Sequence, residues 1–375
     1  MRVILTGGGS AGHVNPALAI ADIIKANDPK AEIIFVGTSK GLENDLVPKA
    51  GYELRHVEIS GIRRSLSLSN LKTLMRMYTA PKKAKKLIEE FDADIVIGTG
   101  GYVCWPSLTA ATKMGIPTVL HEANAILGLA VKGLCGKMDV VMTNFKETAE
   151  EISDKQRAIH VGMPMRGEFE GISKAEARKK LGISLDKTVI LSFGGSLGAK
   201  MVNRAALDIM KNFSSVSDNV IHYHSSGSRE YEEMSVEYRE LGLVGCKSIE
   251  LSPYIYDMSL KMAAADIVVC RAGAMTLAEL ARTSAVAVLI PSPNVTNNHQ
   301  YKNAKLLADA GAAVMIEEKD FAIKSVSETV RSLAADTAKR QEMSENIEKF
   351  YDKETNKKIY DEIEKLVHIY KEKKN

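Results

Sequence analysis

Val3-Ile4-Leu5-Thr6-Gly7-Gly8-Gly9-Ser10-Ala11-Gly12-His13-Val14-Asn15-Pro16 is the stretch that decides the fold. Its first four residues are typical of a buried strand, the glycines predict a tight turn, and Pro16 is tolerated in the first turn of a helix. Glycine lets the backbone approach a phosphate closely, and a helix N-terminus favours negative charge. The stretch therefore predicts an α/β unit that opens with an anion-binding loop.

The same alternation of short apolar runs and helical patterns continues along the chain, which predicts βαβ units and parallel sheets. A first series of runs occupies residues 3–6, 33–37, 95–98, 118–121, 140–143 and 158–162. After a stretch at 163–167 punctuated by proline and glycine, a second series occupies 189–193, 220–223, 248–251, 267–270, 285–290 and 313–316. We predict two Rossmann-like, doubly wound parallel-sheet domains that face each other across a cleft.

The domain boundaries follow from these two series. At 375 residues the chain is too long for one ordinary core, because domains of about 100 to 200 residues are usual. We expect a first domain over residues 1–163 and a second over 164–354. Residues from about 355 to 375 have a helical period, and we expect this helix to pack back on the first domain. Its apolar face consists of Ile359, Ile363, Leu366, Val367 and Tyr370.

The composition excludes several classes of protein. With 45% hydrophobic and 26% charged residues the chain is typical of a soluble globular protein, and no run reaches the roughly 18 apolar residues that cross a bilayer. The apolar start is too short for a secretory signal, so we expect a cytoplasmic protein. The four cysteines lack metal-ligand spacing, and Asp92-Ala93-Asp94 precedes its strand, on the wrong edge of the sheet for a metal. We expect no disulfide, metal, cofactor or nucleic-acid partner.

A second glycine loop opens the second series. Residues 191–199 read Leu-Ser-Phe-Gly-Gly-Ser-Leu-Gly-Ala, and Ser196 offers a hydroxyl where the loop would meet a phosphate. Two such loops favour a pair of anion sites and a ligand with phosphates on both sides of a cleft. A dinucleotide site would also need an acidic residue at the end of the second strand. No acidic residue lies between the end of that strand, at residue 37, and Glu43. A dinucleotide site and a purely structural turn remain alternatives for the first loop.

Three later stretches of the second half are typical of ligand loops. Residues 271–279 leave a strand, turn on glycine and enter a helix, so Glu279 is suited to bind two ribose hydroxyls. Alternatively, Thr276 caps this helix and Glu279 completes a capping box. Residues 253–258 can present backbone groups to a base edge. Residues 297–303 supply amides for sugar hydroxyls, although loop amides are also common turn formers.

Candidates for proton transfer lie in the first half. Residues 98–102 and 121–124 follow predicted strands at their carboxyl ends, where open parallel sheets bind ligands. His13, His121 and Glu122 can therefore converge on one site. His13 directly follows an anion loop and is our choice for the general base, with His121 and Glu122 as substitutes. A structural role is the common alternative for any single histidine.

Residues 61–90 form a basic segment. They carry eight lysine and arginine side chains against Glu89 and Glu90, a net charge of +6. Apolar residues recur at helical spacing from Leu71 to Tyr78, next to Arg76 and the lysines at 82–86, as in an interfacial amphipathic helix. A core helix with a solvated face is the alternative.

Taken together, these motifs resemble those of the MurG family of peptidoglycan N-acetylglucosaminyltransferases. The similarity runs in order from residue 7 to about residue 303, and its most specific parts are 7–13, 98–102, 121–124, 194–199 and 271–279. It implies the GT-B fold and an inverting transfer without an essential active-site metal. The donor would be UDP-GlcNAc, and the acceptor the C4 hydroxyl of undecaprenyl-pyrophosphoryl-N-acetylmuramoyl-pentapeptide, which converts lipid I to lipid II.

The resemblance also implies a place for the protein in the cell. It would act as a peripheral protein on the cytoplasmic face of the cell membrane, where an anionic surface would attract the basic segment. Other cell-wall synthesis proteins are possible partners. The residues implied for the acceptor and the membrane are Gly100, Gly101, Tyr102, Arg76, Lys82 and Lys83.

Donor-binding roles are likewise implied residue by residue. Ile255 would meet uracil through its backbone, and Glu279 would bind the ribose. Ser196 and Arg166 would bind the diphosphate, and Gln300 with Asn124 the sugar. The full implied set is Ser10, Ala11, Gly12, Asn124, Arg166, Ser196, Ile255, Ala274, Met275, Thr276, Leu277, Ala278, Glu279 and Gln300.

Some residues depart from the family pattern, and two rival functions remain. His299 stands where the family commonly has glutamine, Met163 where asparagine is usual, and Ser10-Ala11 where Thr-Gly is usual. A UDP-sugar 2-epimerase shares the fold and a similar donor site but needs no lipid acceptor, so the basic segment and the His13 loop argue against it. A non-catalytic nucleotide-sugar sensor would not need residues 121–124.

Overall fold

A computed structural model describes residues 1–59, 68–165, 167, 172–321 and 325–374, with side chains described from residue 79 onward in the helix that begins at Leu68. The chain divides into two compact units. The first unit comprises Met1–Arg166 and Asp352–Asn375, and the second comprises Gly167–Tyr351. Each unit has its own parallel sheet and its own hydrophobic core.

The described part of the first unit contains a seven-stranded parallel sheet in the order β3-β2-β1-β4-β5-β6-β7. Its strands are β1 (Arg2–Thr6), β2 (Glu32–Gly37), β3 (Glu53–His56), β4 (Ile95–Gly98), β5 (Thr118–Glu122), β6 (Val140–Thr143) and β7 (Ala158–His160). Helices cover both faces of the sheet. They are α1 (Ala11–Asn27), α2 (Glu43–Lys49), α3 (Leu68–Phe91), α4 (Cys104–Met114), α5 (Leu129–Leu134) and α6 (Lys146–Glu150).

The described part of the second unit contains a six-stranded parallel sheet in the order β10-β9-β8-β11-β12-β13. Its strands are β8 (Thr188–Phe193), β9 (Val220–Ser225), β10 (Ile249–Ser252), β11 (Ile267–Cys270), β12 (Val286–Leu289) and β13 (Ala313–Met315). Its helices are α7 (Lys174–Leu181), α8 (Lys200–Asn212), α9 (Tyr231–Glu240), α10 (Met258–Ala264), α11 (Ala274–Thr283), α12 (His299–Asp309), α13 (Val326–Ala335) and α14 (Thr337–Glu348).

The strand order reverses at one point in each sheet, between β1 and β4 in the first unit and between β8 and β11 in the second. This confirms the prediction of two doubly wound parallel sheets. Open α/β sheets bind ligands at the carboxyl ends of the strands that flank such a reversal. In this chain those strand ends carry the two glycine loops, so the topology places each predicted anion loop where ligands usually bind.

β3 was absent from the sequence-based prediction. Its residues Glu53, Leu54, Arg55 and His56 contain no apolar run, and none of their side chains is buried. The strand pairs with β2 alone, at the edge of the sheet. Edge position explains why its sequence lacks the β-branched, fully apolar character of the central strands.

The helix α15 (Thr355–Lys374) returns the chain to the first unit. Ile359, Ile363 and Val367 are buried in the same core cluster as α1 and β1. Charged groups fix its far end, because Lys371 Nζ lies 2.9 Å from an oxygen of Asp94 and Lys374 Nζ lies 3.2 Å from an oxygen of Asp92. Both aspartates of the D-x-D stretch therefore form ion pairs with the last residues of α15.

The helix α3 presents two different faces over its described side chains. Ala80, Ala84 and Ile88 are buried in the core of the first unit. The lysines between them, Lys82, Lys83, Lys85 and Lys86, are exposed. Among the described residues, no helix combines the length and the hydropathy needed to cross a bilayer.

Candidate functional site

Three helices of the second unit begin at the carboxyl edge of its sheet. α8, α11 and α12 follow β8, β11 and β12, which are neighbours in the sheet. In the described part of the chain, none of the three has a side-chain hydrogen bond at its N-cap. Their first-turn N–H groups and their dipoles therefore combine into an electropositive surface suited to a diphosphate.

The second glycine loop leads from β8 into α8 at this surface. The N–H of Gly198 donates to the carbonyl of Gly195 (3.0 Å), which closes the turn. Gly198 also contacts the backbone of Ser226 so closely that an added Cβ would lie 2.2 Å from the Ser226 oxygen. Ser196 is exposed at the tip of the loop, where its hydroxyl can meet a ligand.

The residues of α11 divide into a buried face and an accessible face. Ala274 and Leu277 are buried, so they can contact a ligand only through their backbone. The half-buried residues are Met275, Thr276, Ala278 and Glu279. This spacing puts Glu279 on the accessible face, one turn beyond Met275.

The capping-box alternative for Glu279 is wrong. The helix begins at Ala274 with Gly273 as its N-cap, so Thr276 is the third helical residue and caps nothing. Instead, Glu279 lies close to the end of β11. Burial, and to a smaller degree the charge of Glu279, raise the pKa of the Cys270 thiol at that strand end. The carboxylate therefore lies near the end of β11, one of the two strands that flank the sheet reversal.

The loop after β10 carries the residue expected to meet the base. The side chain of Ile255 is buried, while Tyr254 and Tyr256 on either side are exposed, with ring centroids 4.9 Å apart. Burial of the side chain leaves the backbone of Ile255 as the group that can read a base edge. Lys261 packs against this region, with its Nζ 2.6 Å from an oxygen of Glu250.

The loop between β12 and α12 holds the amide of Gln300. The N–H of Ser292 donates to Oε1 of Gln300 (2.9 Å), so a ligand-binding role falls to its NH₂ group. His299 Nδ1 donates to a carbonyl of the same loop. Asn297 and Asn298 both have left-handed φ angles, 57° and 52°. Such strain in non-glycine residues concentrates at ligand sites.

In the first unit, His13 is held by the backbone around it. Its Nδ1 lies 3.3 Å from the carbonyl oxygen of Gly8 and 3.1 Å from Oγ of Ser10. A carbonyl can only accept, so the contact with Gly8 favours a ring that is protonated on Nδ1 and has its lone pair on Nε2. Gly100 and Gly101 pack closely against the ring, because a Cβ on Gly100 would lie 2.9 Å from its Cδ2 and a Cβ on Gly101 would lie 3.1 Å from its Nδ1.

The remaining predicted residues of the first loop lie beside His13. Ser10 and Gly12 are exposed, and Ala11 is half-buried at the start of α1. Tyr102 is 38% exposed and packs next to Gly9, whose added Cβ would lie 3.6 Å from the ring. The loops 7–13 and 98–102 are therefore in contact with each other.

His121 and Glu122 were substitutes for the base, and their surroundings favour structural roles. His121 is fully buried, its Nε2 donates to the carbonyl of Gly162 (3.0 Å), and burial lowers its pKa to about 4. Glu122 is also buried, which raises its pKa. Its oxygens accept from the backbone N–H and the side-chain amide of Asn124 (2.9 and 3.0 Å) and from the N–H of Gly128. Glu122 therefore orients Asn124.

Two predicted site residues cannot be placed. Arg166 lies outside the described residues, and the side chain of Arg76 lies in the part of α3 whose side chains are not described. Both keep the roles that the resemblance implies. Lys82 and Lys83 are exposed on α3, on the side away from the core.

The dinucleotide alternative for the first loop required a carboxylate that reaches a ribose. Glu43 is the first acid after β2, and its side chain is fully buried. Its carboxylate accepts the N–H groups of Gly9 and Thr38 (both 3.0 Å). Because these bonds occupy the carboxylate inside the protein, it cannot bind a ribose, and the structure argues against a dinucleotide site.

The sequence analysis did not predict a buried hydrogen-bond network that lies beneath the second glycine loop. Oγ of Ser192 lies 2.7 Å both from Nε2 of His222 and from Nδ1 of His224. His224 Nε2 lies 3.1 Å from Oδ1 of Asn203, whose Nδ2 donates to the carbonyl of Ser226. The signal was available, because the two histidines are two residues apart in β9 and therefore lie on the same face of the strand.

The direction of every hydrogen bond in this buried network can be assigned from the acceptor at its end. The Ser226 carbonyl can only accept, so Asn203 presents Oδ1 to His224, and His224 must donate through Nε2. Ser192 therefore donates to His224 and accepts from His222. This sequence requires the His224 ring to be neutral, and it ends at the carbonyl that Gly198 contacts. The network thus supports the second glycine loop from below.

The buried histidines predict that acid destabilises the second unit more steeply than the first. Burial lowers the pKa of His224 to about 3 and that of His222 well below its usual value, while the first unit has His121 at about 4. Below about pH 6.5 the unfolded chain binds protons that the folded state excludes, so the free energy of unfolding falls as pH drops. The slope is about 1.4 kcal/mol per pH unit for each histidine.

Urea titrations between pH 7 and pH 5 measure this effect. Fluorescence of Trp105, the single tryptophan, reports on the first unit, and circular dichroism reports on both. The double variant His222→Asn/His224→Asn should flatten the steeper transition. His368→Gln, at an exposed position of α15, is the control. An unchanged slope in the double variant would contradict the assignment.

Comparison with known proteins fits this geometry. The family model described as the glycosyltransferase family 28 N-terminal domain matches residues 3–143, and the family 28 C-terminal domain matches residues 189–360. A relative from Acetivibrio thermocellus is 40% identical over 367 residues, which covers 98% of each chain. It is named UDP-N-acetylglucosamine–N-acetylmuramyl-(pentapeptide) pyrophosphoryl-undecaprenol N-acetylglucosamine transferase. The chain belongs to the MurG family.

A solved structure agrees with this assignment. MurG from Acinetobacter baumannii has 26% sequence identity to the chain and a TM-score of 0.78, covering 97% of this chain and 99% of its own. The fold is therefore GT-B, and the chain is a glycosyltransferase. A Listeria monocytogenes chain described as a UDP-N-acetylglucosamine 2-epimerase has a TM-score of 0.67 at 12% identity. That likeness shows the fold alone, so the MurG assignment decides against the epimerase alternative.

The departures from the MurG pattern have different structural settings. Met163 is buried in the first unit, so that position cannot supply a side-chain contact to a ligand. His299 is half-buried at the start of α12, next to Gln300. Ser10 contributes its hydroxyl to the His13 ring. Of these departures, His299 and Ser10 touch surfaces that a MurG substrate would meet.

Proposed function

We propose that this MurG family member transfers N-acetylglucosamine from UDP-GlcNAc to the C4 hydroxyl of undecaprenyl-pyrophosphoryl-N-acetylmuramoyl-pentapeptide. The reaction inverts the anomeric centre and converts lipid I to lipid II in peptidoglycan synthesis. The observation that supports the proposal is that the two units hold different chemical groups. One holds a positioned histidine, and the other holds three helix N-termini suited to a diphosphate.

The donor is assigned to the second unit. The backbone of Ile255 binds uracil, and Glu279 accepts hydrogen bonds from the two ribose hydroxyls. Ser196 and the N-termini of α8 and α11 bind the diphosphate, and Gln300 donates its amide to the sugar. Charge-assisted bonds of this kind are the strong ones in nucleotide recognition, so Glu279 is expected to dominate affinity among these side chains.

The acceptor is assigned to the first unit, where His13 acts as the general base. Nε2 takes the proton from the C4 hydroxyl as its oxygen forms a bond to C1 of N-acetylglucosamine. The bond from C1 to the diphosphate oxygen breaks on the opposite face, and UDP leaves with the electron pair. Such a base typically contributes about 10²- to 10⁴-fold in rate. Helix N-termini stabilise the leaving diphosphate.

An assay with both substrates tests the proposal. The purified chain is incubated with labelled UDP-GlcNAc and a lipid-linked muramoyl-pentapeptide. We expect free UDP together with a labelled disaccharide lipid, and no UDP release when the lipid is omitted. UDP release without the lipid acceptor would contradict a transferase and favour the epimerase reaction. Labelled donor that stays intact with both substrates present would favour a sensor.

We also propose that the protein works as a peripheral protein on the cytoplasmic face of the membrane. Lys82, Lys83, Lys85 and Lys86 are exposed on α3, opposite its buried face. Lys85 and Lys86 lie 3.5 and 3.6 Å from glutamates one turn later, which offsets part of their charge. Lys82 and Lys83 are the two lysines of this group that the resemblance implies for the membrane, so their charges are the ones to test.

Charge reversal at these two positions measures the contribution of α3. A basic residue near an anionic leaflet is worth about 1 kcal/mol, so Lys82→Glu/Lys83→Glu should weaken binding to phosphatidylglycerol vesicles at least about tenfold. Lys179→Glu/Lys180→Glu, an exposed pair in the last turn of α7, is the matched control. Equal binding by both variants in a vesicle flotation assay would refute a role for α3.

A further inference from the structure

The carboxylate of Glu43 lies directly beneath the first glycine loop, where it is fully buried. One oxygen, Oε2, accepts the N–H of Gly9 (3.0 Å). The other, Oε1, accepts both the N–H of Thr38 (3.0 Å) and its hydroxyl (2.7 Å). The two oxygens thus have different partners, and only one of them contacts the loop.

The surrounding backbone leaves room for this carboxylate and for nothing larger. A Cβ on Gly41 would lie 1.9 Å from its Oε2, and a Cβ on Gly8 would lie 2.7 Å from its Cδ. Burial alone would raise the pKa of Glu43, but the hydrogen bonds from Gly9 and Thr38 outweigh it and lower the pKa. The group is therefore a fixed negative charge at neutral pH.

One peptide group connects this charge to His13. The N–H of Gly9 and the carbonyl of Gly8 belong to the same planar peptide unit. Its N–H donates to Glu43, and its carbonyl oxygen lies 3.3 Å from Nδ1 of His13. A hydrogen bond at one end of a peptide polarises the group and strengthens the bond at the other end.

We propose that Glu43 is a positioning residue that acts on His13 through the peptide between Gly8 and Gly9. This proposal rests on the role of His13 as general base. The carboxylate makes the Gly8 carbonyl a better acceptor for the Nδ1 proton, which keeps the lone pair on Nε2 and stabilises the imidazolium that forms when Nε2 takes the acceptor proton. The logic is that of the aspartate in a Ser-His-Asp triad, with a peptide group interposed.

Other groups at this site do not replace Glu43. Tyr102 and Cys104 are two titratable groups beside the loop. Burial, and then the charge of Glu43, raise the pKa of Tyr102, and burial raises that of Cys104 to about 12. Both are therefore neutral at physiological pH. Glu43 supplies the negative charge that the loop places next to His13.

Glu43→Gln is the informative substitution because glutamine has the same shape and one acceptor oxygen. Thr38 has two donors and will hold that oxygen, so the NH₂ group would face the N–H of Gly9, and the polarising bond would be lost. Thr38→Val is the matched control. It removes a hydrogen bond from the same carboxylate, at the oxygen that does not contact the loop, and it keeps both the charge and the bond to Gly9.

We expect Glu43→Gln to lower kcat about 10- to 100-fold with little change in the KM for UDP-GlcNAc, and Thr38→Val to lower it less than about threefold. If the carboxylate had only a structural role, each substitution should lower kcat in proportion to the thermal stability that it removes. The second readout is the ¹⁵N NMR titration of the His13 ring. Its pKa should fall in Glu43→Gln and stay unchanged in Thr38→Val. UDP affinity and circular dichroism establish that each variant is folded.

The outcomes distinguish this proposal from the proposal that His13 is the general base, on which it rests. If His13→Ala retains turnover, the general base is wrong and the relay falls with it. If His13→Ala loses turnover while folded Glu43→Gln keeps wild-type kcat and an unshifted His13 titration, the base stands and the relay is overturned. Loss of kcat in Glu43→Gln with a shifted titration, and neither effect in Thr38→Val, supports the relay.

Discussion

Replacing His13 by alanine is expected to lower turnover by about 10²- to 10⁴-fold, the range that a positioned general base contributes. The KM for UDP-GlcNAc should change little, because the residues proposed to bind uracil and ribose, Ile255 and Glu279, lie in the second unit. The surroundings of the ring suit this role, because the Gly8 carbonyl favours one tautomer and Gly100 and Gly101 pack against the ring. Steady-state kinetics with both substrates varied separates the two parameters.

His56→Ala is the control for this experiment. His56 is an exposed histidine of β3 in the same unit, and its Nε2 lies 2.8 Å from Oδ1 of Asn44. We expect this variant to keep its turnover. If His13→Ala also kept its turnover, His13 would leave the mechanism. The burial of His121 and Glu122 would then direct the search to groups outside the described residues.

Replacing Glu279 by glutamine is expected to weaken UDP binding about 10- to 100-fold. A hydrogen bond to a charged group contributes about 1.5 to 3 kcal/mol, and tenfold in affinity corresponds to about 1.4 kcal/mol. Glu279 lies on the accessible face of α11 and is not a helix cap, so the loss of affinity should not come from helix stability. Isothermal calorimetry with UDP measures the change.

A modified ligand tests whether the loss arises at the ribose. With 2′,3′-dideoxy-UDP both hydroxyls are absent, so wild type and Glu279→Gln should bind it with the same affinity. Arg282→Lys, three residues further along α11 and outside the implied donor set, controls for a general disturbance of the helix. A variant that weakened both ligands equally would show that Glu279 acts on the site without contacting the ribose.

The sequence predicted the two sheets because their central strands are apolar runs between helical patterns. β3 was not predicted, because charged and apolar residues alternate in this edge strand and form no apolar run. The loops also could be predicted, because strand ends in a parallel sheet meet at one edge. His121 shows the limit of that rule. It lies at the correct strand end, yet its side chain is buried in the protein.

The supporting residues could not be predicted because their contacts join distant parts of the chain. Glu43 was noticed only as an acid that came too late for a ribose, whereas its carboxylate bonds to Gly9 across two secondary structure elements. Ser192 and His224 are likewise brought together by the pairing of β8 with β9. Periodicity indicates which face a residue occupies, and it does not say which partner it meets there.

The return of α15 to the first unit has a consequence for synthesis on the ribosome. The core around β1 and α1 lacks Ile359, Ile363 and Val367 until the whole of the second unit has been translated. Domains usually complete folding in the order in which they emerge, and here that order is reversed. The apolar strip that Ile359, Ile363 and Val367 cover therefore stays exposed on the nascent first unit until α15 has been translated.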